Sequence, residues 1–88
     1  MRARRLKIVD EYVEDGRAAV YTTQGMVLLL SELATAAWSM IGDDWVAATE
    51  VAASLEDEFG TPTQGATDDL TEESLRSLAD MGLIQLEA

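Results

Sequence analysis

The sequence has no cysteine, no histidine and a single proline. Without cysteine and histidine, the chain cannot form a zinc finger, a haem site, a cysteine nucleophile or a Ser-His-Asp triad. The absence of cysteine also excludes a disulfide framework, so we expect a reducing, cytoplasmic compartment. No apolar run approaches the roughly 18 residues of a membrane span, and no long apolar segment follows the basic N-terminus, so we expect neither a membrane anchor nor a secretory signal.

Basic residues are scarce and unevenly placed. Residues 1–17 carry five basic and four acidic groups, whereas residues 18–88 carry one basic and thirteen acidic groups, and the net charge is −11. An acidic body repels phosphate backbones and anionic lipid, so we expect neither a nucleic acid nor a membrane as a partner. The simplest role of this charge is to keep the protein soluble.

The length of 88 residues allows one small domain, without room for both a core and a deep catalytic cavity. Hydrophobic residues make up 48% of the chain, which is enough for a packed core and argues against disorder. We therefore predict a single domain over residues 1–88, in which residues 1–5 form a flexible basic arm.

The first third of the chain has the patterns of β-strands. Segments 6–13 and 17–23 are rich in β-favouring residues and flank Asp15-Gly16, a strong hairpin signal because both turn positions need positive φ. A second turn signal precedes five consecutive apolar residues at 26–30. The pattern predicts three strands in an antiparallel meander.

Helical spacing replaces the strand pattern at Ser31, whose hydroxyl is suited to capping a first helix. We predict a second helix over about 47–59, a loop over 60–68 and a third helix over 69–81. A short extended tail at 83–86 follows. Strands followed by helices indicate an α+β fold.

The sequence contains none of the common catalytic motifs. Acidic pairs such as Asp43-Asp44 and Glu72-Glu73 are adjacent in sequence, and adjacent residues on a helix do not face each other. No segment has the alternating ligands and central glycine of a calcium loop. We therefore expect no enzyme activity, no catalytic residue, no metal site and no cofactor.

The five apolar residues of the third predicted strand are the most informative feature. The outer strands of a meander are edges, and edges normally carry charge or proline because bare edges pair with other chains. Met26 to Leu30 carry neither. Two interpretations stay open: helices or the basic arm cover this strand, or a peptide partner pairs with its edge.

Three further residues each allow two interpretations. We expect Trp38 in the core rather than on a ligand platform, and Trp45 as a hydrophobic staple rather than an exposed anchor. Arg76 is the only basic residue after position 17. We expect it to pair with Glu72 or Glu73 on its own helix, although it could instead hold a carboxylate of a bound peptide.

Three segments together resemble one protein family. Residues 30–38 resemble its pattern L-N-x-T-A-x-x-x-W, residues 50–59 resemble E-[IL]-A-x-x-L-x-x-x-[FY], and residues 75–84 resemble L-x-x-L-x-x-x-G-L-[IL]. In the first segment Ser31 and Leu33 replace the usual Asn and Thr. In order and spacing the chain is similar to the PqqD-like family, the RiPP recognition elements, over about residues 6–86.

The resemblance implies a winged-helix-like domain, a three-stranded antiparallel meander followed by three helices, that is not an enzyme. It implies a peptide chaperone that binds the leader segment of a ribosomally made precursor peptide as an extra strand. A separate tailoring enzyme or leader peptidase would then act on the presented peptide. Carried over by position, the binding groove lies between the third strand and the third helix, at Met26, Val27, Leu28, Leu29, Leu30, Leu75, Arg76, Leu78 and Ala79.

Other functions are compatible with parts of the sequence. An acyl or peptidyl carrier protein is also small and acidic, and Ser54 would be its attachment site, but Ala53 stands where an Asp is expected. A winged-helix DNA-binding protein is opposed by the acidic body. A protein–protein adaptor differs from a leader-binding module only in its partner.

Overall fold

Two antiparallel three-stranded sheets and three helices make up an α+β fold in the computed structural model, which describes residues 1–61 and 67–88. In chain order the elements are β1 (Arg2–Arg5), β2 (Ile8–Glu14), β3 (Arg17–Thr22), β4 (Val27–Leu29), α1 (Glu32–Ser39), β5 (Val46–Ala47), α2 (Ala48–Phe59), α3 (Thr67–Asp80) and β6 (Ile84–Glu87).

The first sheet is the predicted meander, with strand order β2-β3-β4. Its first hairpin turns at Asp15 and Gly16, whose φ values of 53° and 76° are both positive, as a tight turn between twisted strands requires. The second turn has Gly25 at φ 83°. Both outer strands of the meander are edges, and β4 is the one without charge or proline.

The second sheet has the order β5-β1-β6 and shows that the predicted arm is wrong. Arg2 pairs with Ala47 on one side and with Glu87 on the other. Ala3 is fully buried against the core. Residues 2–5 are therefore ordered because strands from the middle and the far end of the chain satisfy their backbone.

Trp45 adds a further contact to β1. Its ring lies under the guanidinium groups of Arg4 and Arg2, whose carbons are 4.8 Å and 5.2 Å from the ring centroid. Such cation–π contacts contribute about 0.5–1 kcal/mol at exposed sites. Trp45 thus packs on the outer side of this sheet and helps to hold the arginines in place.

Local signals place the helices close to their predicted positions. The hydroxyl of Ser31 accepts a hydrogen bond from the Ala34 amide at 3.1 Å, so Ser31 caps α1 as expected. Helix α2 ends at Phe59, and Gly60, where φ is 81°, is its C-cap. Helix α3 begins at Thr67, two residues earlier than predicted, and the rest of the predicted loop at 62–66 lies outside the described residues.

One hydrophobic cluster joins both sheets and all three helices. Trp38, expected in the core, is buried there. Among the residues that the structure describes, no helix is both long and apolar enough to cross a membrane. The largest fully buried side chains are Trp38, Leu30, Ile41, Leu75, Leu78, Leu83, Val20 and Val51.

Candidate functional site

Strand β4 bonds to β3 through alternate residues. The Leu30 amide donates to the Ala18 carbonyl at 2.8 Å, and the Met26 carbonyl accepts from the Thr22 amide at 2.9 Å. In an antiparallel ladder the backbone groups of successive residues point to opposite sides of the strand. The even-numbered residues of this segment therefore direct their backbone groups toward β3.

Val27 and Leu29 direct their backbone N–H and C=O groups to the other side, which is the free edge of the sheet. No strand within residues 1–61 and 67–88 pairs with that edge. The two residues are 58% and 63% exposed, and their side chains lie on the face opposite the buried Val20 and its partner Leu28. The edge thus offers two residues with unpaired backbone groups and apolar side chains.

The first turn of α1 separates the meander from α3. The Thr35 hydroxyl accepts from the Ala18 amide at 2.9 Å, and the Glu32 side chain lies beside Gly16, so the meander packs on this side of α1. Leu33 and Ala34 point in nearly the opposite direction, since residues of a helix are spaced about 100° apart. Their side of the helix faces α3.

A groove of about 250 Å³ lies on that side. It is lined at the start of α1 by Ser31, Leu33 and Ala34. From α3 it is lined by residues that share one helical face, Leu70, Glu73, Ser74 and Ser77. Because Ser31 comes two residues after the end of β4, one end of this groove lies close to the end of that strand.

The structure exposes three of the five predicted strand residues of the site. Met26, Val27 and Leu29 are exposed, and Leu28 is half-buried. Leu30 is buried in the core, and its carbonyl accepts a hydrogen bond from the Arg17 guanidinium at 3.0 Å. Leu30 therefore holds the end of the strand in place and is not a contact surface.

The predicted helix residues of the site need a correction. Leu75 and Leu78 are fully buried, so they belong to the core and do not line an open groove. Ala79 is half-buried and does not line the groove, and Arg76 is exposed and lies 3.9 Å from Glu72, the pairing on its own helix that we expected. The apolar face of an amphipathic helix packs against the core, so its residues are not available to line a surface groove.

The residues of α3 that line the groove were not predicted, because they form a stripe in which only Leu70 is apolar. The signal was present in the sequence, since Leu70, Glu73, Ser74 and Ser77 have helical spacing on a stripe beside the core face. Choosing between neighbouring stripes required the position of α1, which sequence spacing alone does not supply.

A polar cluster fixes the orientation of the meander. The Trp38 indole N–H donates to Glu11 Oε2 at 2.5 Å, and Arg5 donates to Glu11 Oε1 at 3.2 Å. The Arg5 guanidinium also lies 3.8 Å from the Trp38 ring centroid. The hydrogen bond from Trp38 is the main cause that lowers the pKa of Glu11; partial burial opposes it, and Arg5 lowers the pKa further.

The structure also bears on the residues of the alternative functions. Ser54, the attachment site of a carrier protein, is exposed in the middle of α2. Within the described ranges, no group of three or more acidic side chains is placed to hold a metal ion.

Comparison of the chain with protein-family models, with curated proteins and with solved structures gives no match. The structural features that bear on function are therefore the free edge of β4, the groove between α1 and α3 and the charge of the chain.

Proposed function

We propose that the protein binds an extended peptide as an additional strand on β4. In this proposal the peptide is the leader segment of a ribosomally synthesised precursor, which is presented to a separate tailoring enzyme or leader peptidase. The observation that carries strand addition is the free edge at Val27 and Leu29. The leader identity and the winged-helix-like arrangement are supported by the sequence resemblance.

Backbone hydrogen bonds and the burial of apolar side chains both contribute to the free energy of peptide binding. Each backbone hydrogen bond to an added strand contributes about 1 kcal/mol after exchange with water, so a short strand pairing alone binds weakly. Burial of exposed apolar side chains beside the edge adds to this. Met26, Val27 and Leu29 supply that apolar surface, and the groove beyond Ser31 supplies further contacts.

The test uses synthetic peptides that cover the short reading frames flanking the coding sequence. We expect one of them to shift the backbone amide signals of Val27 and Leu29 in an NMR titration of the nitrogen-labelled protein. Leu29→Pro removes an outward-facing N–H and places a ring at the edge, so it should weaken binding at least about tenfold. Its free energy of unfolding should change by only about 1 kcal/mol, because no bond to β3 is lost.

Leu28→Pro is the matched control, because the Leu28 amide points toward β3 and its loss breaks the ladder. We expect this variant to be clearly less stable than Leu29→Pro in urea denaturation. The variant Val27→Lys tests the edge without a proline. The proposal is wrong if no peptide shifts the β4 amides, or if Leu29→Pro, while folded, binds as tightly as the unaltered protein.

A further inference from the structure

The groove between α1 and α3 combines an apolar floor with a single charged group. Leu33 and Leu70, each 37% exposed, supply apolar surface, and Ser31, Ser74 and Ser77 supply hydroxyls. Glu73 is the one ionised side chain of its lining. The ion pairs in the described part of the chain are Arg2 with Glu87, Arg5 with Glu11 and Arg76 with Glu72, so none of them neutralises Glu73.

We propose that this groove receives a lysine or arginine side chain of the bound peptide, with its cationic head at Glu73. The inference rests on the proposed function, since it specifies the chemistry of the peptide that pairs with β4. The methylene stem of such a side chain packs on Leu33 and Leu70 while the charged end reaches the carboxylate. The serine hydroxyls accept its remaining N–H groups.

The pleat of an added strand separates two kinds of peptide residue. Side chains alternate between the two faces of a strand, so those on one face meet Val27 and Leu29 and those on the other lie on the core side of the sheet, where α1 packs. Tyr21 lies opposite Val27 on the outer face, which makes that face apolar and aromatic. The bound segment is therefore expected to alternate apolar residues with a basic residue that enters the groove.

Charge favours a basic rather than an acidic occupant. Residues 18–88 carry thirteen acidic groups against Arg76 alone, and Arg76 lies beside Glu72. The resulting negative potential attracts cationic peptides and raises their rate of association at low salt. An acidic peptide would be repelled both by this negative potential and by the Glu73 carboxylate.

The experiment selects binders from a phage-displayed library of random peptides. Clones that bind the unaltered protein but not Leu29→Pro define the peptides that depend on the β4 edge. We expect these clones to be enriched in lysine or arginine at one position. Selection on Glu73→Lys should replace that preference with aspartate or glutamate, and a peptide selected on the unaltered protein should bind this variant about tenfold more weakly.

Glu72→Lys is the matched control, because it makes the same change in net charge outside the groove lining. We expect it to reduce binding by less than about threefold through the overall field. If the edge-dependent clones show no preference for a basic residue, or if Glu73→Lys and Glu72→Lys weaken binding equally, the inference about Glu73 is wrong. Strand addition to β4 would still stand. If no clone depends on the edge, strand addition to β4 is wrong and this inference falls with it.

Discussion

Arg5 of β1, Glu11 of β2 and Trp38 of α1 meet between the two sheets and the first helix. Glu11 accepts a hydrogen bond from each of the other two side chains, and the Trp38 carbonyl accepts one from Arg5 at 2.8 Å. Charge-assisted hydrogen bonds of this kind are stronger than neutral ones. The cluster therefore ties β2, and through it the rest of the meander, to the helices.

Replacing Glu11 by Gln tests this cluster. The amide keeps the size of the side chain but removes the negative charge, so the free energy of unfolding should fall by about 1 kcal/mol after allowance for solvent screening. Urea denaturation at neutral pH measures the change. Glu14→Gln, an exposed site on the same strand, should have little effect; equal losses at the two sites would contradict a specific role of Glu11.

The lowered pKa of Glu11 also predicts a pH dependence. A carboxyl whose pKa is lower in the folded state than its ordinary value of 4.5 contributes its stabilisation fully above that pH. The contribution disappears as pH falls through the lowered pKa. The difference in unfolding free energy between the unaltered protein and Glu11→Gln should therefore shrink below about pH 4.5, and a constant difference from neutral pH to acid would contradict this assignment.

Single residues were predictable where the signal is local. Trp38 was placed in the core because it lies in the middle of a helix among small residues, and Ser31 was identified as a cap from its position before the first turn. The partners of Glu11 were not predictable, because Trp38 lies 27 residues away in the sequence and Arg5 approaches from another sheet. Pairings of this kind depend on how the elements pack.

At the scale of elements, sequence patterns did not predict the two-residue strand β5, and they misjudged β1. Its four residues include three arginines, and the only apolar one, Ala3, is buried. Neither alternation nor a turn signal marks it, because its order comes from pairing with β5 and β6. The meander was predictable because its strands are neighbours in sequence and are joined by tight turns.

Ala3→Asp separates an ordered strand from a flexible arm. In the structure this change buries an unpaired carboxylate, so the free energy of unfolding should fall by about 3 kcal/mol or more. Arg4→Ser, on the solvent side of the same strand, should have a much smaller effect. Thermal or urea denaturation compares the two, and a silent Ala3→Asp would show that residues 1–5 do not form a strand in solution.

The two elements of the candidate site, β4 and α3, differ in how well the sequence predicted them. The strand half was predictable, since five apolar residues after a turn marked an undefended edge. The helix residues Leu75 and Leu78, which the resemblance implied, are buried in the core, and the groove is lined by a neighbouring stripe of α3. Distinguishing the core stripe from the groove stripe needs the packing of α1 against α3.

At the scale of the whole molecule, the net charge of −11 on 88 residues opposes folding through self-repulsion. Salt should therefore stabilise the protein, with a gain on the order of 1 kcal/mol when sodium chloride shortens the Debye length from about 30 Å to a few Å. Urea denaturation at low and high salt measures this. Potassium chloride should have the same effect. A free energy of unfolding that stays constant or falls as either salt is added would contradict the prediction.

The bare edge of β4 also determines how the purified protein behaves in concentrated solution. At neutral pH, mutual repulsion keeps separate copies apart although the backbone groups of Val27 and Leu29 are open. Acid removes this repulsion and concentrated salt screens it, so two sheets can join edge to edge and precipitation can follow. Salt thus strengthens the single molecule while weakening its colloidal stability, and dilute, low-salt buffer at neutral pH is the storage condition that this fold favours.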